Sequence, residues 1–287
     1  MASNARPLPK QAAALLTGNA KVTTYESTGG KTTAKFAAHN LTLIPPIKPG
    51  STIHDNACGA GTVSRLILQQ TADTADVKIH ATDIDQAFLD FLSADATQNN
   101  WPVEVSNQKS ETTNFPPAFF DYDIMNIGII FMSSGGLDAT REIHRTLKPG
   151  GFAVVNCWKT ITWMLPIMLV HRAFRGEAVP FPAPPINWTD GTQLRKILVE
   201  AGFEEDKIRL ESQEVSSVLE DGEEFRGWVE KTWAYLAGIG GWHAVDGEKW
   251  EEEVDMLAGL LKKQPGTTVE GGKVTMTASQ WVAVAEK

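Results

Sequence analysis

Ile53-His54-Asp55-Asn56-Ala57-Cys58-Gly59-Ala60-Gly61 is the stretch that decides the fold of this chain. An apolar strand end runs into Asp55, and a small-residue loop containing Gly-x-Gly begins two residues later. Thr62-Val63-Ser64-Arg65-Leu66-Ile67-Leu68 follows and reads as a helix. Strand, glycine turn and helix N-terminus in that order present unpaired N–H groups and the positive end of a helix dipole to a ligand. The glycines let that ligand approach the backbone closely.

Working outward from the loop, strands and helices alternate. Strands are expected at Thr52–Asp55, Val77–Thr82, Val103–Ser106, Tyr122–Asn126 and Phe152–Cys157, with helices at Thr62–Thr71, Gln86–Asn99 and Leu137–Leu147 between them. Lys148-Pro149-Gly150-Gly151 reads as the turn into the fifth strand. This rhythm implies a doubly wound, Rossmann-like α/β fold: a parallel sheet with helices on both faces and its ligand edge at the strand C-termini. Ahead of it, residues 10–42 read as two helical pieces, Gln11–Leu16 and Thr32–Leu43, parted by Gly29-Gly30. Beyond Trp158 the rhythm loosens. Helices are expected at Thr160–Phe174, Thr189–Ala201, Glu220–Leu236 and Gly247–Lys263, a proline-rich loop at residues 180–185, and strands at Asp206–Val218 and Lys273–Val284. The expected organisation is a helical N-terminal cap over residues 1–50 and one α/β domain over 51–287, with helical insertions at about 159–190 and 219–265.

The composition narrows the class. With 287 residues and 42% hydrophobic content the chain can bury a sizeable core. A net charge of −9 argues against a broad electrostatic grip on nucleic acid or anionic lipid. Two cysteines point to a reducing compartment rather than a disulfide scaffold. The N-terminus lacks the apolar core of a signal peptide, and the longest apolar run, Ile161 to Ala173, contains a proline and a histidine. A cytoplasmic monomer without membrane, nucleic-acid or metal partners is the expectation.

Two features choose the nucleotide. The third glycine of the dinucleotide pattern G-x-G-x-x-G is replaced by Ser64, and Asp55 would place a carboxylate beside a pyrophosphate. S-adenosylmethionine reverses that sign, because it carries an ammonium and a sulfonium and no phosphate. Asp83, in Ala81-Thr82-Asp83-Ile84-Asp85, lies roughly 20 residues past the loop, the spacing of an acid that accepts ribose hydroxyls in either cofactor.

The glycine loop, Asp55, Asp83 and Leu147-Lys148-Pro149-Gly150-Gly151, in that order, resemble the class I S-adenosylmethionine-dependent methyltransferases. The resemblance covers roughly residues 50–160 and implies a seven-stranded sheet ending in an antiparallel hairpin, with Asp206–Val218 and Lys273–Val284 as strands six and seven. It implies cofactor contacts from Tyr25 in the N-terminal segment, Asp55, Ala57, Gly59 and Gly61 around the loop, and Asp83 and Ile84 after the second strand. Ser110 and Asn126 complete that set. One departure is visible: the acid that often follows the third strand is absent, Lys109 stands in its place, and Ser110 or Glu111 is left to serve the adenine. The N-terminal helices, Tyr25-Glu26-Ser27-Thr28 and Asn126 further resemble fungal small-molecule methyltransferases of secondary metabolism, among them S-methylating detoxification enzymes such as gliotoxin bis-thiomethyltransferase.

The implied reaction is one in-line displacement, in which the protein aligns acceptor and donor and excludes water. A thiol acceptor supplies its own thiolate near neutral pH, whereas a phenol or hydroxyl gains from a base. Of the six histidines, His171 and His243 sit where an acceptor pocket could form. Eight of nine tryptophans follow residue 150. Trp158, directly after the fifth strand, and Met164, Met168 and Phe174 make an apolar, adaptable set suited to a small hydrophobic acceptor. A phenolic or polyketide O-methyltransferase and a non-catalytic cofactor-binding regulator remain alternatives; a nicotinamide-dependent oxidoreductase is disfavoured by Asp55 and Ser64.

Overall fold

The computed structural model describes residues 8–70, 77–182 and 186–287. Thr71 and residues 183–185 of the expected helix end and proline-rich loop lie outside them. The strands are β1 (Thr52–Asn56), β2 (Lys78–Asp83), β3 (Val103–Asn107), β4 (Phe120–Asn126), β5 (Leu147–Ile161), β6 (Ile208–Glu220), β7 (Thr267–Glu270) and β8 (Lys273–Glu286). They join one sheet in the order β3-β2-β1-β4-β5-β8-β6, with β7 paired to β8. The sheet thus has eight strands rather than the expected seven. The extra strand is half of a short hairpin whose two-residue turn, Gly271-Gly272, takes φ +57° and +74°. Two consecutive left-handed residues match the twist of a tight hairpin, and glycine adopts them without penalty.

The chain divides into two compact units. One comprises Thr33–Thr160, Pro184–Glu214 and Ser279–Lys287. Its strands β1, β2, β3, β4 and β5 pair in parallel, with Asp55 opposite Ala81 and Ile124, and Asn126 opposite Asn156. β8 runs against them: the Gly150 N–H donates to the Lys287 carbonyl at one end of β5, while the Thr160 and Ser279 hydroxyls meet at the other. Helices α4 (Thr62–Gln70), α5 (Gln86–Gln98), α6 (Leu137–Thr146) and α8 (Thr192–Ala201) form the crossovers. Strand alternation sorts the core. Ala153, Val155, Ala283 and Ala285 face the side occupied by Ile143 and Leu198, while Val154, Val282 and Val284 face Ile67. Phe120 and Met125 share a face despite unequal parity because the β4–β5 register shifts between Phe120 and Tyr122. Below the ligand edge, the His54 Nδ1 lies 2.6 Å from Asp123 and its Nε2 2.9 Å from the Thr82 hydroxyl, all three fully buried. That chain satisfies polar groups that the sheet removes from water.

The other unit comprises Met1–Thr32, Ile161–Ala183 and Val215–Ala278. Its helices include α1 (Lys10–Leu16), α2 (Asn19–Glu26), α7 (Met164–Arg175), α9 (Glu223–Ala237), α10 (Ala244–Glu248) and α11 (Trp250–Leu261). Helix α9 packs against α1, α2, α7 and α11, which is why Trp228 and Trp233, five residues apart, are both buried. Two sequence expectations are corrected here. Gly29-Gly30 do not break the N-terminal helices but open α3 (Gly29–Asn40), and the preceding stretch is a further helix, α2. A Cβ at Gly30 would lie 3.0 Å from the Tyr25 carbonyl, so glycine there lets the two helices approach closely. The inserted helix begins at Met164 rather than Thr160, because β5 continues through Ile161.

A buried charge cluster sits among α7, α9, α10 and α11. Arg175 and Asp246 form a bidentate pair, Nε–Oδ1 2.8 Å and Nη2–Oδ2 2.9 Å, with both side chains inaccessible. Asp246 also accepts the His243 N–H at 2.6 Å. Glu253, equally buried, accepts the Trp233 indole N–H at 3.0 Å on one oxygen, and the other meets no donor among the described residues. With Arg175 already committed, burial and the neighbouring Asp246 push the Glu253 carboxyl up to about 7, so it keeps a proton below neutrality. The folded chain therefore holds this proton more tightly than the unfolded chain. The stabilisation is complete below the ordinary carboxyl range and is lost as pH rises through about 7. Glu253→Gln keeps an acceptor for Trp233 and a permanent donor for Asp246. Urea unfolding at pH 5 and pH 8 should show the native protein losing roughly 2 kcal/mol relative to this variant over that interval. Parallel pH profiles would refute the raised Glu253 carboxyl.

Candidate functional site

The turn after β1 is built from positive-φ backbone. Ala57, Gly59 and Gly61 take φ +55°, +51° and +82°. At Gly61 a Cβ would fall 2.4 Å from the Leu92 side chain of α5, which is wholly buried, so both dihedral and space demand glycine. The chain then enters α4, and Asp55 is spent on that entry. Its Oδ2 accepts the Ser64 N–H at 2.9 Å and the Ser64 hydroxyl at 2.6 Å, a carboxylate set against the helix N-terminus. Burial pushes the Asp55 carboxyl up to about 6 against the pull of the two Ser64 bonds. Ser64 is therefore more than a missing glycine; it is the partner that lets Asp55 be buried.

Asp83 joins the turn to the end of β2. Its Oδ2 accepts the Gly59 N–H and its Oδ1 the Asp85 N–H, both at 2.9 Å. Each oxygen has a second lone pair, and the side chain is only partly buried. Beside it Ile84 is 68% exposed, an apolar side chain held in solvent at the ligand edge. Asp85 caps α5 through the Ala87 N–H at 3.1 Å. After β3, Ser110 is buried while Lys109 points to solvent, and Glu111 accepts the Ser133 N–H at 2.9 Å. The Cys58 thiol is pushed well above its ordinary range by burial, with Asp55 and Asp83 adding to the effect. Among the described residues no cluster could hold a metal ion, and no helix is long and apolar enough to cross a membrane.

Residues 53–151, which contain this edge, match the family described as a methyltransferase domain. Over this stretch the chain is similar to class I S-adenosylmethionine-dependent methyltransferases. Among curated relatives, methyltransferase tpcH of Aspergillus fumigatus is 26% identical over 182 residues, covering 60% of this chain and 64% of that protein. Ubiquinone/menaquinone biosynthesis C-methyltransferase UbiE of Coxiella burnetii is 27% identical over 139 residues, covering 47% of this chain and 53% of that protein. The chain thus spans less than two thirds of these relatives' own lengths. Phosphoethanolamine N-methyltransferase 2 of Haemonchus contortus, solved with S-adenosyl-L-methionine, shares the fold at a TM-score of 0.57 and 14% identity, covering 99% of this chain and 60% of that one.

The remaining sequence candidates are distributed as follows. In the sheet unit, Asn126 ends β4 half-buried, with its Nδ2 donating to the Thr33 carbonyl at 3.1 Å. Trp158, also half-buried, meets Phe36 edge-on at 5.3 Å between ring centres. In the helical unit, the Tyr25 ring packs 5.4 Å from Tyr235. Met164, Met168 and Phe174 are half-buried along α7. His171 is buried on the same helix, 5.3 Å from the Phe181 ring, and burial and Arg175 lower its proton affinity. His243 precedes α10 and is tied through its backbone to Asp246.

Sequence reasoning missed Asn156, Gln280 and Gly128. Asn156 and Gln280 are wholly buried in strands and bond each other at 2.6 Å. The signal was present: a lone amide inside Val154-Val155-Asn156-Cys157 and another inside Ala278-Ser279-Gln280-Trp281 break apolar runs that a buried strand otherwise keeps unbroken. The loop's dependence on glycine is measurable. Gly61→Ala must move Leu92 and hold a left-handed alanine, and should destabilise the protein by roughly 2–4 kcal/mol in thermal or urea unfolding. An unchanged midpoint would mean that the turn does not need this conformation.

Proposed function

We propose that this chain transfers the methyl group of S-adenosylmethionine to a small hydrophobic metabolite, with a thiol as the favoured acceptor. The observation that carries the donor assignment is Asp83. One lone pair on each oxygen is used to hold the glycine loop and the start of α5, and one on each is left for a ribose hydroxyl. Ile84 offers an apolar face beside it, and Ala57, Gly59 and Gly61 bring backbone rather than side chain to the ligand. Asp55, sealed against Ser64, acts by holding the turn and its negative charge beneath a cationic cofactor. Ser110 and Asn126 serve the adenine and methionine ends, and Tyr25 the cofactor mouth. When bound, the sulfonium supplies an already activated methyl group, so the protein's part is alignment and exclusion of water.

For the acceptor, Trp158 stands in the sheet unit, and Met164, Met168 and Phe174 are assigned by their apolar, polarizable character. Neither histidine favours base catalysis. His171 is buried beside a guanidinium, and His243 is engaged in opening α10. Chemistry that needs no base fits a thiol, which ionises near neutral pH. A phenolic or polyketide hydroxyl is the second reading, and the fungal tpcH relative is consistent with either. A monomer working in the cytoplasm on free metabolites fits the acidic balance.

Calorimetric titration with S-adenosylmethionine tests the donor, and a labelled-methyl assay over thiols, phenols and amines read by mass spectrometry tests the acceptor. Cofactor binding without transfer to any acceptor would favour the binding-regulator reading. Asp83→Ala should weaken cofactor affinity by about 1–3 kcal/mol, since the ribose hydroxyls lose a charged acceptor; an unaltered titration would remove Asp83 from the site. Trp158→Ala should raise the acceptor KM several-fold while cofactor affinity holds; equal effects on both, or on neither, would displace Trp158 from the acceptor side.

A further inference from the structure

The turn after β4 has a conformation its residue disfavours. Ile127 takes φ +68°, ψ −13°, the left-handed region that a β-branched side chain resists. The next residue, Gly128, has no room for a side chain: a Cβ there would lie 2.7 Å from the Ala57 Cβ of the glycine loop. Ala57 is itself left-handed. Two conformationally disfavoured residues therefore flank one close contact between the turn after β1 and the turn after β4.

Asn156 holds this contact in place. It lies in register with Asn126 on the neighbouring strand β5 and is wholly buried. Its Oδ1 accepts the Ile127 N–H at 2.9 Å, and its Nδ2 donates to Asn126 Oδ1 at 3.0 Å and to Gln280 Oε1 at 2.6 Å. Gln280 is fixed in turn, its Nε2 donating to Asn40 at 2.8 Å and to Gln213 at 2.9 Å. Asn126 is closed by its bond to the Thr33 carbonyl.

We propose that Asn156 is a positioning residue of the cofactor site: through the Ile127 peptide and the Asn126 amide it seats Gly128 on Ala57 and so preshapes the loop that receives S-adenosylmethionine. The assignment rests on the methyltransferase reading of that loop. It makes a specific statement about coupling, because glycine occupies the left-handed region freely. With glycine at position 127 the turn no longer needs Asn156.

The test is a cycle of Asn156→Ser, Ile127→Gly and the double variant, read by calorimetric titration with S-adenosylmethionine and by amide hydrogen exchange at residues 127 and 128 in ligand-free protein. Asn156→Ser should weaken binding about tenfold or more and speed exchange. Ile127→Gly should stay within about threefold of the native affinity, and the double variant should return to that range although its melting temperature stays lowered. A native-like titration for Asn156→Ser, or a double variant as weak as the single, would overturn the proposal, since a purely structural amide gains nothing from glycine at 127. Should Asn156→Ser not fold, Gly128→Ala tests the same seat: it should weaken binding with the fold retained, and unchanged affinity would overturn the proposal. Native protein that does not titrate with S-adenosylmethionine would bring down the methyltransferase reading as well; the exchange data separate that outcome, because they report on the turn without ligand.

Discussion

A sheet covered on both faces leaves the polar groups at its strand ends with one another as partners, and this constraint shapes the whole ligand edge. Asp55, Asp83, Asp123, Asn126, Asn156 and Gln280 all sit in or at the ends of buried strands. Each burial would be costly alone. Each is made tolerable by a particular partner: Ser64 for Asp55, the Gly59 and Asp85 peptides for Asp83, His54 for Asp123, and the Ile127 peptide for Asn156. The partners are mostly backbone N–H groups of the turns. Satisfying the carboxylates and amides therefore fixes the turns, and a preformed loop is the by-product of burying acids correctly.

The parts of this arrangement that were legible in the sequence are the local ones. Strand-turn-helix at 52–70, the acid at 83 and the alternation through residue 157 all follow from patterns within a few residues of one another. What was not legible depends on partners far apart. The pairing of Gln280 with Asn156 spans 124 positions, and nothing near either residue names the other. The role of Ser64 was hidden for a subtler reason: judged against a glycine pattern it is a gap, while judged against Asp55, nine residues earlier, it is a hydroxyl donor placed at a helix start. Gly29-Gly30 misled because glycine has two uses. Its flexibility ends helices, and its lack of a side chain lets helices touch; the close approach to Tyr25 selects the second. The β7–β8 hairpin was recoverable from Gly271-Gly272, a two-residue turn signal passed over between helix and strand expectations.

The helical unit solves the same burial problem with less to spare. Arg175 neutralises Asp246 and stacks within cation–π range of Trp233 and Trp242. Glu253 then has no cation left. Burial and the neighbouring Asp246 favour its protonated form, and its remaining oxygen meets no donor among the described residues. This differs from the sheet edge, where Asp55 and Asp83 each accept from backbone N–H groups.

The division of chemistry follows from that difference. The stretch matched to the methyltransferase domain ends at residue 151, before Trp158 and before most of the helical unit. It contains the glycine loop, Asp55, Asp83 and the turn after β4, all groups suited to a donor whose structure does not vary. A donor site made of backbone turns locked by buried acids tolerates little variation, because altering one partner orphans another. A surface of half-buried methionine and aromatic side chains, such as Met164, Met168 and Phe174 along α7, tolerates much more, because apolar volumes can be exchanged without stranding a charge. Variation between such proteins is therefore expected to concentrate in the residues outside the matched stretch.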